Sequence, residues 1–159
     1  MKKDIITQAK AVLFPYTPLI ADCGLVCGKA CCKGDSETGM LLFPGEDTSL
    51  TVKEKNGVRL CVCNGICNRN ERPLSCMIFP FFPYMDENGK IQAKADIRGI
   101  NVCPLISHKN EVLFSKIFLR RVARAGRILI KDEECREFIR ETSREMDTLE
   151  KFYGQRKGL

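Results

Sequence analysis

The sequence predicts an α+β protein. An irregular, cysteine-rich metal-binding half with a small antiparallel hairpin sheet packs against a C-terminal helical hairpin. Three observations carry this expectation. Cysteines crowd the first half: Cys23, Cys27, Cys31 and Cys32 fall within ten residues, and Cys61, Cys63, Cys67 and Cys76 follow. An Asn-Gly pair at Asn56–Gly57 separates two runs with apolar residues in period two, the pattern of a tight hairpin. Beyond residue 109 the apolar residues recur at helical spacing. The 159 residues suit a single domain, residues 1–159. Its cysteine core covers about residues 20–83 and its helical part about residues 109–154.

In chain order, Ile5, Ile6, Ala9, Val12 and Leu13 recur near helical spacing, and Pro15 and Pro18 limit that helix to two or three turns. The Pro-rich stretch then runs extended into the first cysteines. Gly24, Gly28, Gly34 and Gly39 supply the tight turns that a chain wrapped around an ion needs. The neighbouring Cys31 and Cys32 point most naturally to opposite sides. They serve two centres, or one ligates while the other packs. Met40–Phe43 reads as a first strand and Ser49–Lys53 as a second. Val58, Leu60 and Val62 alternate on a third, which puts Arg59, Cys61 and Cys63 on the opposite face.

Asn64–Pro83 reads as loop. Within it and just beyond, Met77, Ile78, Phe79, Phe81, Phe82 and Tyr84 form an aromatic block expected in the core. A turn at Asp86–Lys90 leads to a strand or connector. Cys103, before Pro104, is a late ligand or a buried thiol. A helix is expected over Asn110–Ala125, capped by Asn110 and ended by Gly126. Val112, Leu113, Ile117, Phe118 and Val122 form its apolar side, and Lys116, Arg120, Arg124 and Arg127 its basic side. A second helix follows Asp132 as N-cap, with Glu133 and Glu134 in its first turn. Cys135, Phe138, Ile139, Thr142, Met146, Leu149 and Tyr153 give it one face, on which Cys135 reads as a core thiol.

The N-terminal MKKDIITQAKAVLF lacks a cleavage site, and no apolar run approaches the roughly 18 residues of a membrane span. The expected compartment is cytoplasmic, with no membrane partner. In that reducing setting ten cysteines serve as metal ligands or redox groups rather than structural disulfides. An all-sulfur donor set favours zinc or an iron–sulfur cluster over oxygen-seeking cations. Eight thiolates suffice for two tetrahedral zinc ions, or for one iron–sulfur cluster with thiols to spare. The one histidine, His108, lies far along the chain. No nucleophile motif, phosphate loop or dinucleotide fingerprint is present, so catalytic residues stay unassigned and the question of an enzyme stays open. The chain is basic, at net +6. Between Lys109 and Lys131 seven basic residues face one acid, Glu111.

The two cysteine groups together resemble the YkgJ-type cysteine-cluster proteins, also described as a zinc- or iron-chelating domain. That family has a front cluster ending in a Cys-Cys pair, a cysteine shortly before Arg-Pro, and a further cysteine followed by Phe-Pro. Cys23, Cys27, Cys31 and Cys32 match the front. Cys61 or Cys63, then Cys67, Arg72–Pro73, Cys76 and Phe79–Pro80 match the back. Leu42–Glu46 resembles the family's short hydrophobic-Pro-x-Glu segment, and Cys103–Pro104 a later feature of longer members. The front gaps are one residue longer than the family's usual C-x2-C-x2-CC. The resemblance covers roughly residues 20–83 and implies a metal held by cysteine thiolates, with Glu46 and Cys103 as further ligand candidates. The leading expectation is zinc in a structural or metal-handling role. The alternatives are an iron–sulfur protein in redox or metal delivery, and a zinc-stabilised nucleic-acid-binding module using the basic helix 110–127.

Overall fold

The computed structural model describes residues 2–20, 39–63 and 68–156. The chain opens with helix α1, Lys2–Leu13, whose Ile6, Ala9 and Leu13 are buried at helical spacing and whose first turn carries Asp4. Strands β1 (Met40–Leu41), β2 (Thr51–Lys55) and β3 (Val58–Val62) form an antiparallel sheet in the order β1-β3-β2. The β2–β3 hairpin closes with Lys55 opposite Val58. Its two loop residues, Asn56 and Gly57, sit at φ values of 53° and 77°, the positive pair that a type I′ turn requires. The predicted second strand is therefore present but begins two residues later, and the first is shorter than the four residues expected.

The stretch read as loop is more ordered than expected. It holds a 3-10 turn at Arg69–Glu71, helix α2 at Leu74–Ile78 and the start of strand β4, Phe81–Met85. Pro73 stands at the N-cap of α2, where a missing N–H is harmless. Strand β4 pairs antiparallel with β5, Ile91–Ala95, and contains Pro83. A proline fits there because each strand of a two-stranded sheet is an edge. The aromatic block does enter the core: Ile78, Phe81 and Phe82 are buried, while Met77, Phe79 and Tyr84 are half-buried.

A 3-10 turn at Ile97–Gly99 and the short helix α3, Pro104–Ser107, precede the two long helices α4, Lys116–Leu129, and α5, Glu133–Arg156. Helix α4 starts later than the sequence suggests. Ser115, not Asn110, is its N-cap, its hydroxyl accepting from the Phe118 N–H at 3.3 Å. Gly126 does not end the helix but lies inside it. A Cβ there would come within 2.5 Å of Pro83 Cβ and 2.7 Å of Ile91 Cγ2, so the glycine lets α4 press onto the β4–β5 sheet. Leu113 and Ile117, expected on the apolar side, are exposed; Phe118, Val122, Ala125, Gly126 and Leu129 make the buried face. Asp132 caps α5 as expected, accepting from the Cys135 N–H at 3.0 Å.

The main core lies between α1, α4, α5 and the β4–β5 sheet. Helix α4 packs on α1 and on both strands, and α5 packs on β4 and the turn at Ile97–Gly99. The predicted α5 stripe is buried at Cys135, Ile139, Thr142 and Met146. From the three-stranded side, Phe43 is fully buried in this core, stacking with Phe82 at 6.2 Å and tilting against Phe138 at 4.9 Å. Burial of that side chain is worth about 1.5–3 kcal/mol. A smaller cluster gathers Cys103, Leu105 and Ile106 with Leu19, Phe79, Ile100, Val112 and Phe114.

Candidate metal centre

Cys23, Cys27, Cys31, Cys32 and Cys67 lie outside the described residues, so the front cluster and the cysteine before Arg72–Pro73 are not placed. Cys61, Cys63, Cys76, Cys103 and Glu46 are. Cys61 sits on β3, the central strand, opposite Met40 on one side and Val52 on the other, and is buried. Cys63 follows the strand and is half-buried, as is Cys76 on α2. One turn of helix separates the buried Leu74 and Ile78, and Cys76 falls on the far side of α2 from both. Cys103 is buried at the N-cap of α3. It packs in the small cluster with Leu105 and Ile106. His108 is exposed at the C-cap of the same helix, 3.8 Å from Glu111.

The described residues that flank positions 21–38 lie beside candidate cysteines. On entry, Leu19 packs in the cluster that holds Cys103, and the Pro18 carbonyl accepts from the Ser115 N–H at 2.9 Å. On exit, Gly39 lies flush against β3, where a Cβ would come within 2.6 Å of the Cys61 carbonyl oxygen.

Glu46 organises the region. Its side chain is fully buried. Oε1 accepts from the Leu74 N–H at 2.6 Å and meets Lys10 Nζ at 2.9 Å, and Oε2 accepts from the Phe43 N–H at 3.3 Å. The Glu46 backbone is used as well: its N–H donates to the Phe43 carbonyl at 3.0 Å, and its carbonyl accepts from Arg59 Nη1 at 2.8 Å. One residue thus ties together α1, the loop after β1, strand β3 and the first turn of α2. A negative group at the start of a helix meets N–H groups that the helix leaves unsatisfied. Next to it, the Ser75 hydroxyl donates to the Leu41 carbonyl, fastening α2 to β1. The Leu42–Glu46 and Arg72–Pro80 segments, recognised separately in the sequence, therefore meet at Glu46, and both carboxylate oxygens are engaged within the chain.

Lys10 and Arg59 escaped the sequence reading. The Lys10 signal was present: it lies one helical turn from Ile6 on the buried side of α1, and a cation on an apolar stripe calls for an anion. Arg59 was placed on the Cys61 face, but nothing in the sequence names its partner.

Among the described residues, no three His, Cys, Asp or Glu side chains come together in a way that could hold a metal ion. Cys61, Cys63 and Cys76 do not make a ligand set by themselves. No family model, no curated protein and no solved structure matches this chain. What the described residues define is an α+β fold with two small antiparallel sheets and a C-terminal pair of helices. No helix among the described residues is long and apolar enough to cross a membrane.

Proposed function

We propose that this chain is a metal-binding cysteine-cluster protein, similar to the YkgJ type, in which thiolates hold zinc in a structural or metal-handling role. The observation that carries the reading is the crowding of eight cysteines between residues 23 and 76 with no histidine among them. An all-sulfur set of that size fits zinc or iron–sulfur chemistry better than oxygen-seeking cations. Support comes from the framework around the described members. Cys61 stands on the central strand, Cys76 stands on a helix fixed to that sheet, and Glu46 joins the two elements. The ligands in this reading are Cys23, Cys27, Cys31, Cys32, Cys67 and Cys76 with Cys61 or Cys63. Glu46 acts as a positioning residue, and Cys103 is a further ligand candidate. Bound metal would screen the thiolates and fix their mutual positions. A reducing compartment such as the cytoplasm keeps such thiols available.

The test is elemental analysis with a visible spectrum on protein purified without oxygen. About two zinc ions per chain and no visible band are expected. Iron with acid-labile sulfide and a brown colour would replace zinc by an iron–sulfur cluster. Protein free of metal that fails to take up zinc or iron would overturn the metal reading itself.

A further inference from the structure

We propose that the outward face of α4 is a sequence-independent docking ridge for single-stranded nucleic acid, formed by Lys116, Arg120, Arg124 and Arg127 and extended by Lys131. The helix turns Phe118, Val122, Ala125, Gly126 and Leu129 into the core. At 100° per residue the four helical cations fall within one narrow sector opposite that face, and Lys131 continues their line past the helix end. All five are exposed. From Lys116 to Lys131 the ridge runs about 22 Å.

Two features separate this ridge from an ordinary solvated face. First, it lacks compensation. No ion pair or hydrogen bond engages any of the five cations among the described residues. On the next helix the charges do pair, Arg136 with Glu133 and Arg140 with Glu137. Like charges three and four residues apart destabilise a helix by about 0.2–0.5 kcal/mol per pair. The fold tolerates several such pairs here: Lys116 with Arg120, Arg120 with Arg124, Arg124 with Arg127 and Arg127 with Lys131. Second, aromatic surface adjoins it. Arg121, on the flank of α4, stacks its guanidinium 4.8 Å from the Tyr16 ring. Tyr16 and Phe14 are 37% and 56% exposed at the end of α1, the helix against which α4 packs.

The partner follows from the chemistry. A line of guanidinium groups suits phosphates, which they bind as bidentate forks. Exposed aromatic rings beside a cationic track suit bases that are free to stack, hence a single strand. The exposed residues of α4 are Lys116, Ile117, Arg120, Arg124 and Arg127, so its outward face offers cations and no other polar side chain. Cations set on phosphates grip every sequence alike. A membrane surface fits less well, because an interfacial helix buries its apolar face in lipid and α4 has spent that face on the core.

The test is fluorescence anisotropy of the full-length protein with a labelled oligouridylate of about 20 nucleotides. With five phosphates neutralised, the slope of log affinity on log salt is about −3.5, and binding weakens about 100-fold between 50 and 200 mM salt. In the triple variant Arg120→Ala, Arg124→Ala, Arg127→Ala the slope becomes shallower by about 2. Its melting temperature should hold or rise, since repulsion is relieved; a structural role for these arginines would lower it. Triple replacement by Lys retains binding, and Phe14→Ala weakens it about tenfold. No binding at low salt, or binding that the Ala variant leaves intact, would overturn the proposal. So would tighter binding to a duplex of equal length or to vesicles rich in phosphatidylserine. The readout does not depend on which metal the chain holds.

Discussion

Replacing Glu46 should destabilise the protein more than any single change on its surface, and the structure sets the size of the effect. Glu46→Ala strips the acceptor from two backbone N–H groups, Phe43 and Leu74, both on residues with no exposed surface. Each buried unsatisfied donor costs about 1–3 kcal/mol. Lys10, whose side chain is 28% exposed, can swing to water and adds little. The sum falls at about 2–6 kcal/mol, a range that spans the cost of breaking a buried ion pair by removing one partner. For a chain of this length that corresponds to a fall in melting temperature of about 4–24 °C. Glu46→Gln is milder, at about 1.5–3 kcal/mol. Its oxygen can still receive the Leu74 N–H, while its amide then faces the Phe43 N–H, donor against donor.

The assay is urea unfolding followed by far-UV circular dichroism, with Asp47→Ala as control, since Asp47 is 75% exposed and pairs with the exposed Lys3. Lys10→Met should be destabilising alone, and together with Glu46→Gln should cost less than the two separately, because the pair is one unit. A Glu46→Ala cost below about 1 kcal/mol, equal to that of the control, would refute the claim that Glu46 joins these elements.

Two further outcomes follow from close contacts elsewhere. Gly126→Ala should destabilise by about 1–3 kcal/mol despite the higher helix propensity of alanine, because its methyl would strike Pro83 and Ile91; a gain in urea midpoint would show that α4 can shift away from the sheet. Alkaline pH should weaken the contact between β4–β5 and α5. Burial, and then the hydrogen bond to Asp147, raise the Tyr84 pKa; burial, the largest single influence on Lys94, would lower its pKa, but the bond to Glu150 at 2.9 Å and the negative charges of Glu150 and Asp147 together outweigh it and the value is raised. Both groups therefore contribute stability that is complete below about pH 10 and is lost as pH rises through their folded-state values. Melting temperature should fall more steeply above pH 10 in the native protein than in Tyr84→Phe/Lys94→Met, and parallel curves would contradict this.

The sequence made some elements legible because their signals are local. The Asn56–Gly57 turn, the Asp132 cap and the apolar stripe of α5 each depend on residues within a few positions of one another, and each lies where expected. The misreadings share the opposite cause. Gly126 looked like a helix terminator because glycine is common there. Its actual role depends on Pro83 and Ile91, which approach from another element. Asn110 looked like a cap, but Ser115 holds that position and its N–H is fixed by the Pro18 carbonyl, nearly a hundred residues back. Helix α2 was hidden for a related reason: a five-residue helix has too little periodicity to detect, and its start is satisfied by Glu46 from a different segment. Of the candidate site, the motif residues were legible and their mutual contact was not.

The distribution of polar and apolar contacts explains why a buried carboxylate sits where it does. The main core draws its side chains chiefly from α1, β4, β5, α4 and α5, and of the described cysteines it takes in only Cys135. The three-stranded sheet bearing Cys61 has little apolar surface to contribute. Four of the five residues of β2 are exposed, and on β3 only Cys61 is buried. Such a sheet cannot be held by hydrophobic burial, and a lone hairpin is marginal in water. Phe43 supplies one apolar anchor. The remaining attachment is polar and directional: Arg59 to the Glu46 carbonyl, Leu74 to the Glu46 carboxylate, and Ser75 to the Leu41 carbonyl. Directional contacts fix distance and angle where packing of a thin sheet would fix neither. In the proposed metal-binding reading, the same directional contacts would hold thiolates on β3 and α2 at a set separation before any ion arrives. Glu46→Gln therefore bears on the proposed site as well as on the fold: if Cys61 and Cys76 share a metal framework, the variant should bind zinc more weakly than its loss of stability alone would require.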